Sequence, residues 1–290
     1  MSDNTEKNQQ SGRLFIVATP IGNLSDITYR AVETLQNVDA IVAEDSRHSK
    51  RLTDHYSIDT PFTQSYYQGA GEERREELIE KLASGHDLAL ISDAGTPLIS
   101  DPGFKLIRDV RDRGIEVTGI PGPNAAITCL SVSGQPTDSF VFDGQVPKKS
   151  GKKRKYFEEL RTRTRTTVFY DSPHRIDTTL ELLEEVLPER SVTICRELTK
   201  KFEQTVKGNP SQVVERLENS DLKGEFTVAI RGATEEEAAR ARREKYEDVP
   251  LEQQYEGLKM FKGLSRKEAM KELARIRGVS KRKIYEKLNC

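Results

Sequence analysis

Cysteine is scarce in this chain of 290 residues, which holds only Cys129, Cys195 and Cys290. The three lie far apart in the sequence, and no two of them form a C-x-x-C pair. This spacing argues against a disulfide framework and against a structural zinc site. We therefore expect no metal, and we expect Cys129 and Cys195 to be small core residues.

Long apolar segments are also lacking. No run approaches the roughly 20 apolar residues that span a bilayer, and 32% of the residues are charged. The first dozen residues, MSDNTEKNQQSG, lack the apolar core of a secretory signal. We expect a cytoplasmic protein without a membrane partner, whose residues 1–12 form a disordered leader.

The usual fingerprints of nucleotide-binding loops are absent as well. The chain contains neither G-x-G-x-x-G nor G-x-x-x-x-G-K-[ST]. Their absence counts against a dinucleotide-binding protein and against a P-loop nucleotide hydrolase.

The charge is balanced in total but uneven along the chain. The net charge is -1, yet residues 148–165 are strongly basic and a second basic block fills the C-terminus. The cations of the first run are Lys148, Lys149, Lys152, Lys153, Arg154, Lys155, Arg161, Arg163 and Arg165. Such clusters favour contact with a polyanion such as RNA, although a solvated surface is the alternative.

Short runs rich in Val, Ile and Phe alternate with segments of helical period, which predicts an α/β fold with mostly parallel sheets. Predicted strands lie at 14–18, 40–43, 88–92, 115–120, 140–142, 167–170, 192–195 and 226–230. Predicted helices lie at 27–36, 72–83, 104–113, 175–187 and 211–217. Composition shifts suggest an N-terminal lobe at 13–122, a C-terminal lobe at 123–232, a charged linker at 233–250 and a helical basic unit at 251–290.

The C-terminal unit carries its own helix signals. Ser265 and Glu268 have the spacing of a capping box, and Gly278 is suited to end the helix that follows. Ser280 then precedes a second short helix, KRKIYEKL. Two short basic helices joined by a glycine turn are typical of a nucleic-acid module, and a basic structural cap is the alternative.

Three loops follow predicted strands at their carboxyl ends: TPIGNLSD at 19–26, SDAGTPLISDPG at 92–103 and PGPNAA at 121–126. Ligands of open α/β sheets bind at this edge. Glycines there allow the backbone to approach a ligand closely. Each loop alone is weak evidence, because Gly and Pro also mark ordinary turns.

Taken together, TPIGNLSDIT, AEDSR, SDAGTPLISDPG, PGPNAA, SPHR and CRELTK resemble the ribosomal RNA methyltransferases of the tetrapyrrole methylase family. The resemblance covers about residues 13–232. It implies the two-lobed tetrapyrrole-methylase fold, S-adenosylmethionine as methyl donor held between the lobes, and a homodimer. The first loop reads ATPIGNL rather than the G-x-G-P-G type of porphyrinoid-modifying members, which favours an RNA substrate.

The activity implied by the resemblance is 2′-O-methylation of the ribose of a cytidine in the 16S ribosomal RNA of the small subunit. The residues that match the family's donor site are Pro20, Ile21, Ala94, Gly95, Thr96, Ile99, Asp101, Asn124, Ala125, Tyr170, Arg196 and Phe226. Some have structural alternatives, since Asn124 also suits a helix cap and Tyr170 a core position.

A ribose hydroxyl has a pKa far above neutral, so a group that removes its proton or stabilises the oxyanion would assist the reaction. The candidates for catalysis are His174, Arg196, Glu197 and Lys200. The candidates for RNA contact are Arg47, Lys148, Lys149, Lys152, Lys153, Arg154, Arg175, Arg277, Lys281 and Arg282. We expect the stretch PKKSGKKRK, residues 147–155, to form a mobile loop before a helix near Tyr156.

Two other functions stay open on the sequence. One is a tetrapyrrole or protein methyltransferase of the same fold, which leaves both basic runs unexplained. The other is a non-catalytic RNA-binding assembly factor, which predicts RNA binding without turnover.

Overall fold

The computed structural model describes residues 11–63, 66, 71–101, 103–217, 223–245 and 249–288. The chain forms two compact units, the first of residues 1–132, 195–205 and 224–227, and the second of 133–194, 206–223 and 228–290. Most of the predicted leader, and Cys290, lie outside the described residues. The division into lobes, linker and tail made from the sequence stays a prediction.

The first unit is built on a four-stranded parallel sheet with the order β2-β3-β1-β4. Its strands are β1 (Leu14–Val17), β2 (Ala40–Val42), β3 (Leu88–Leu90) and β4 (Val117–Ile120). All four were predicted within two residues of these bounds. Because the strands are parallel, their carboxyl ends share one edge, and the three loops singled out above all leave from it.

Helices cover this sheet and supply two apolar clusters. The helices are α1 (Tyr29–Asn37), α2 (Ser46–His55), α3 (Glu72–Ala83), α4 (Phe104–Asp112) and α5 (Ala125–Ser133). Leu78 and Leu106 belong to one cluster, and Ala31 and Leu35 to the other. The sequence analysis missed α2, whose first turn Asp45 caps by accepting a hydrogen bond from the Arg47 amide.

A five-stranded sheet has the order β5-β6-β9-β7-β8. Its strands are β5 (Phe140–Gln145), β6 (Thr166–Asp171), β7 (Val192–Arg196), β8 (Gln204–Gly208) and β9 (Phe226–Ile230). The sequence analysis missed β8. The helices associated with the second unit are α6 (Ser150–Leu160), α7 (Ile176–Val186) and α8 (Pro210–Leu217).

The basic stretch at 147–155 was predicted as a loop, and this was wrong from Ser150 onward. Helix α6 begins at Ser150, six residues before the expected start. Lys153 lies on its inner face, only 1% exposed, and its Nζ donates to Thr179 Oγ1 at 2.9 Å. Burial lowers the pKa of this lysine, so its side chain is a structural element of the second unit and not a contact for RNA.

Four helices complete the chain: α9 (Glu235–Lys245), α10 (Leu251–Lys262), α11 (Arg266–Arg277) and α12 (Lys281–Leu288). The predicted capping box of Ser265 and Glu268 is confirmed, and Gly278 ends α11 with a φ of 62°. Leu258, Leu273 and Ile284 share an apolar cluster, so the tail has its own small core. Among the described residues, no helix is long and apolar enough to cross a membrane.

Candidate functional site

The first two loops are joined by their backbones at the carboxyl edge of the first sheet. Thr19 and Gly95 exchange two backbone hydrogen bonds, at 2.9 and 3.1 Å. The buried Thr19 hydroxyl also donates to the Ser92 carbonyl oxygen at 3.2 Å. This pairing fixes the loop after β1 against the loop after β3.

The third loop joins them through Thr96 and Gly122. Thr96 Oγ1 donates to the Pro123 carbonyl oxygen at 3.1 Å. A Cβ at Gly122 would lie 2.9 Å from the Ala18 Cβ, so only glycine permits this approach. The three loops that follow β1, β3 and β4 therefore contact one another at this edge.

The loop after β3 holds an unusual backbone. Leu98 and Ser100 have φ angles of 75° and 73°, in the left-handed region that few non-glycine residues adopt. Between them, Ile99 is left 41% exposed. Strain of this kind concentrates at ligand-binding segments, and a donor contact of Ile99 stays a prediction.

A cavity of about 490 Å³ opens at this edge of the first unit. The first two loops, helix α2 and the segment after β7 bound it. Its lining residues are Thr19, Pro20, Ile21, Gly22, Leu24, Arg47, His48, Ser49, Arg51, Leu52, Ser92, Asp93, Ala94, Lys200 and Glu225. Five of the residues named from the sequence, Pro20, Ile21, Arg47, Ala94 and Lys200, thus lie around one space.

Lys200 lines the cavity and is held there by two carboxylates. Its Nζ donates to Glu197 Oε1 at 2.8 Å and to Glu225 Oε2 at 3.3 Å. Burial opposes the charge, but the two carboxylates outweigh it and raise the pKa of Lys200. Lys200 is therefore protonated at neutral pH and acts as a hydrogen-bond donor, not as a base.

Gly22 makes room for this lysine. A Cβ at Gly22 would lie 2.4 Å from Lys200 Cγ and 3.1 Å from Thr199 Oγ1. Glu197 and Thr199 have φ angles of 50° and 66°, so the segment that presents Lys200 is itself in an uncommon conformation. The sequence analysis did not single out Gly22.

Three carboxylates gather behind the same edge. Burial, together with Asp93 and Asp101, raises the pKa of Glu44. Burial also raises the pKa of Asp101, helped by Asp93 and opposed by a hydrogen bond with Ser92. The sequence analysis considered Glu44 only beside Asp45, whereas its electrostatic neighbours follow β3. No group of three or more potential ligands is arranged to hold a metal ion within the described ranges.

The other donor-site candidates have ordinary structural contacts. Asn124 caps α5, since its Oδ1 accepts from the Ile127 amide at 3.2 Å, and Ala125 begins that helix. In the first unit, Phe226 is 1% exposed and Arg196 ends β7. Within the second unit, Tyr170 packs edge-on against Phe142 with ring centroids 5.0 Å apart.

In the second unit, Arg175 is held by an ion pair of 3.1 Å with Asp171 and by a hydrogen bond of 3.2 Å to Gln145 Oε1. His174 is exposed beside it. Nothing in this arrangement couples His174 to a carboxylate, since no hydrogen bond of its side chain occurs within the part of the chain that the structure describes.

The predicted RNA-contact residues fall into two groups. Arg277 is tied to Gln254 and to the Val249 carbonyl oxygen, and Arg154 is paired with Glu185, so both already have structural partners. Arg282 pairs with Glu286 at 2.8 Å but stays 87% exposed. The exposed lysines are Lys148, Lys149, Lys152 and Lys281.

Comparisons with known proteins identify the family of the chain. The family model for "Tetrapyrrole (Corrin/Porphyrin) Methylases" matches residues 13–214. The chain therefore belongs to this family and is a methyltransferase.

Within this family, the chain is similar over nearly its full length to ribosomal RNA small subunit methyltransferases. The "Ribosomal RNA small subunit methyltransferase I" of Bacillus subtilis (strain 168) is 40% identical over 275 residues, which cover 95% of this chain and 93% of that protein. The protein of the same name from Halalkalibacterium halodurans is 41% identical over 281 residues, covering 97% and 96%.

A solved structure shows the same fold. It is the uroporphyrin-III C-methyltransferase of Thermus thermophilus complexed with S-adenyl homocysteine. Its TM-score is 0.51 at 16% identity, and the match covers 76% of this chain and 97% of that one.

Proposed function

We propose that this chain transfers a methyl group from S-adenosylmethionine to the ribose 2′-hydroxyl of a cytidine in small-subunit (16S) ribosomal RNA. The observation that carries the proposal is the near full-length similarity to ribosomal RNA small subunit methyltransferases, together with the cavity at the three joined loops. The cytidine and its 2′-oxygen rest on the resemblance of the motifs.

The residues around the cavity fit such a donor. Its volume of about 490 Å³ is within the range of small-molecule sites, about 300–1,000 Å³. Gly95, with a φ of 84°, leaves the loop surface without a side chain next to Ile21. We assign donor binding to Pro20, Ile21, Ala94, Gly95 and Thr96. Ile99 and Asp101 follow in the loop at 92–103, and Asn124 and Ala125 lie in the loop at 121–126. Tyr170, Arg196 and Phe226 are further candidates.

S-adenosylmethionine supplies, when bound, an electrophilic methyl group on a sulfonium sulfur. The chain's own task is then to orient the ribose and to stabilise negative charge that develops on its oxygen. Lys200 suits this task, because it is protonated, lies at the cavity and is fixed by Glu197. Glu197 positions the lysine and does not itself need to touch the ribose.

Contact with RNA beyond the target nucleotide is assigned to the exposed cations. Lys148 and Lys149 precede α6, Lys152 lies within it, and Lys281 begins α12. Unpaired surface lysines bind phosphate largely by charge, which makes the affinity salt-dependent.

The chain is proposed to act in the cytoplasm as a homodimer. Helix α5 leaves the apolar side chains of Ile127 and Val132 exposed, at 53% and 50%. Apolar side chains that are left exposed on a helix provide surface that a protein partner can cover. A second copy of the chain is the occupant that the family resemblance implies.

The test is nucleoside mass spectrometry. The purified protein is incubated with labelled S-adenosylmethionine and small ribosomal subunits from a strain that lacks it. We expect labelled 2′-O-methylcytidine in the RNA. Donor binding without RNA methylation would favour a tetrapyrrole or protein substrate, and RNA binding without donor binding would favour a non-catalytic assembly factor.

A further inference from the structure

One wall of the cavity in the first unit is not used by the proposed donor site. Helix α2 forms this wall, and its residues Arg47, Ser49 and Arg51 line the cavity. Arg47 and Arg51 are four residues apart, so both guanidinium groups lie on the same side of the helix. The α2 wall, defined by these three residues, is cationic.

The two arginines differ in their hydrogen-bond and ion-pair partners. Arg47 pairs with Asp45 at 2.8 Å, although its side chain is 90% exposed. Arg51 is exposed and makes no ion pair or hydrogen bond through its side chain with any residue in the described part of the chain. A guanidinium that lines a cavity without a partner is suited to bind an anion, and its planar fork matches phosphate.

Ser49 provides an independent observation. The residue is only 4% exposed, and its Oγ has no hydrogen-bond partner among the residues that the structure describes. A serine inside a helix commonly donates to the carbonyl four residues earlier, but Ser49 does not. Because buried polar groups are nearly always hydrogen-bonded, the Ser49 hydroxyl at this wall has a hydrogen bond left to make.

We propose that the α2 wall is a phosphate subsite for the acceptor strand, in which Arg51 and Arg47 hold a backbone phosphate of the RNA and Ser49 donates to one of its oxygens. This inference rests on the proposed function. The carboxylate of the methyl donor has similar chemistry, but both guanidinium groups are exposed to solvent, where a polymer can reach them. We therefore assign the site to RNA.

The test compares Arg51→Gln and Ser49→Ala with Lys50→Gln. Lys50 lies on the same helix and pairs with Asp54 at 3.1 Å, and it is not among the residues that line the cavity. Two quantities are measured for each variant: the affinity for purified small ribosomal subunits at several salt concentrations, and the affinity for S-adenosylmethionine by calorimetry.

We expect Arg51→Gln to weaken subunit binding and to lower the slope of log affinity against log salt by about 1, because one phosphate contact is lost. Ser49→Ala should weaken binding without changing the slope, since serine carries no charge. Lys50→Gln should match the unmodified protein in both quantities. All three variants should retain the donor affinity.

The subsite is overturned if Arg51→Gln binds subunits as Lys50→Gln does. It is also overturned if Arg51→Gln loses donor affinity, which would assign the anion to the donor's carboxylate. Subunit binding without methylation by the unmodified protein contradicts the proposed function alone, because the salt slopes still decide the subsite. A protein that binds no subunits at all contradicts both.

Discussion

At the scale of single residues, the cavity depends on side chains that are absent as much as on those present. Gly22 leaves room for Lys200, and Gly95 allows the first two loops to pair. Neither position carries a functional group, yet each determines where a functional group lies.

Gly22→Ala is expected to displace Lys200, because the added Cβ would lie 2.4 Å from its Cγ. A misplacement near 1 Å costs on the order of 100-fold in rate. We expect kcat/KM for subunit methylation to fall by that order, with donor affinity retained. Gly257→Ala, where a Cβ meets nothing within 4 Å, is the control. Full activity of Gly22→Ala would remove Lys200 from the proposed mechanism.

Gly95→Arg is expected to abolish donor binding while the fold is kept. Gly95 has a φ of 84°, and an added Cβ would lie 3.2 Å from Ile21 Cγ2, so a long side chain must occupy the proposed donor surface. Calorimetry with S-adenosylmethionine measures the effect, and circular dichroism checks the fold. Gly257→Arg serves for comparison. Retained donor affinity in a folded Gly95→Arg protein would show that this loop does not contact the donor.

Asp101→Asn tests the electrostatics of the loop after β3. The folded-state pKa of Asp101 is raised from 3.8, chiefly by burial. The stability linked to its protonation is therefore present below pH 3.8 and is lost as the pH rises through the folded-state pKa. We expect Asp101→Asn to raise the Tm at pH 7.5, and the gain to vanish near pH 4.

Asp112→Asn, at an exposed position of α4, controls for the loss of a carboxylate. The Tm of Asp101→Asn is compared with that of the unmodified protein over this pH range. A difference that stays constant with pH would contradict a raised pKa of Asp101.

At the scale of elements, α6 shows how one helix combines two roles. Its inner face holds Lys153 against Thr179, while Lys152 and the preceding Lys149 face solvent. A row of lysines in a sequence reads as one charged surface, but the helical period divides it. The helix therefore decides which of these lysines are buried and which are exposed.

We expect the double variant Lys149→Gln, Lys152→Gln to lower the salt slope of subunit binding by up to about 0.7–0.9 for each contact removed. The reason is the loss of counterion release from the RNA. Lys105→Gln, an exposed lysine of α4 outside the basic runs, should leave the slope unchanged. An equal effect of Lys105→Gln would indicate attraction by overall charge and not by the α6 surface.

At the scale of the whole molecule, the exposed side chains of α5 bear on assembly. Ile127 and Val132 leave solvent-exposed apolar area on the helix that follows the loop at 121–126. We expect the protein to sediment as a dimer and Ile127→Asp to shift it toward the monomer, because a carboxylate in an apolar interface is costly. The control is Ser131→Asp, which adds a carboxylate at another exposed position of α5. A monomeric unmodified protein would contradict the homodimer.

The sequence by itself determined the family, the parallel arrangement of the first sheet and the position of the three loops at the carboxyl ends of its strands. These follow from local signals, since apolar runs, turn residues and capping boxes act over a few neighbours along the chain. Strand β8 and helix α2 were missed because their patterns are short and strongly polar, as in QTVKG and SRHSKRLTDH.

Only the tertiary structure decided which charged residues are available to a ligand. Lys153 and Arg277 were indistinguishable from their neighbours in the sequence, but one is buried against Thr179 and the other is tied to Gln254. Ser49 and Arg51 carried no signal in the sequence and are brought to the cavity by α2. The reason is physical: burial and pairing depend on residues that are distant along the chain, and those contacts exist only once the chain has folded.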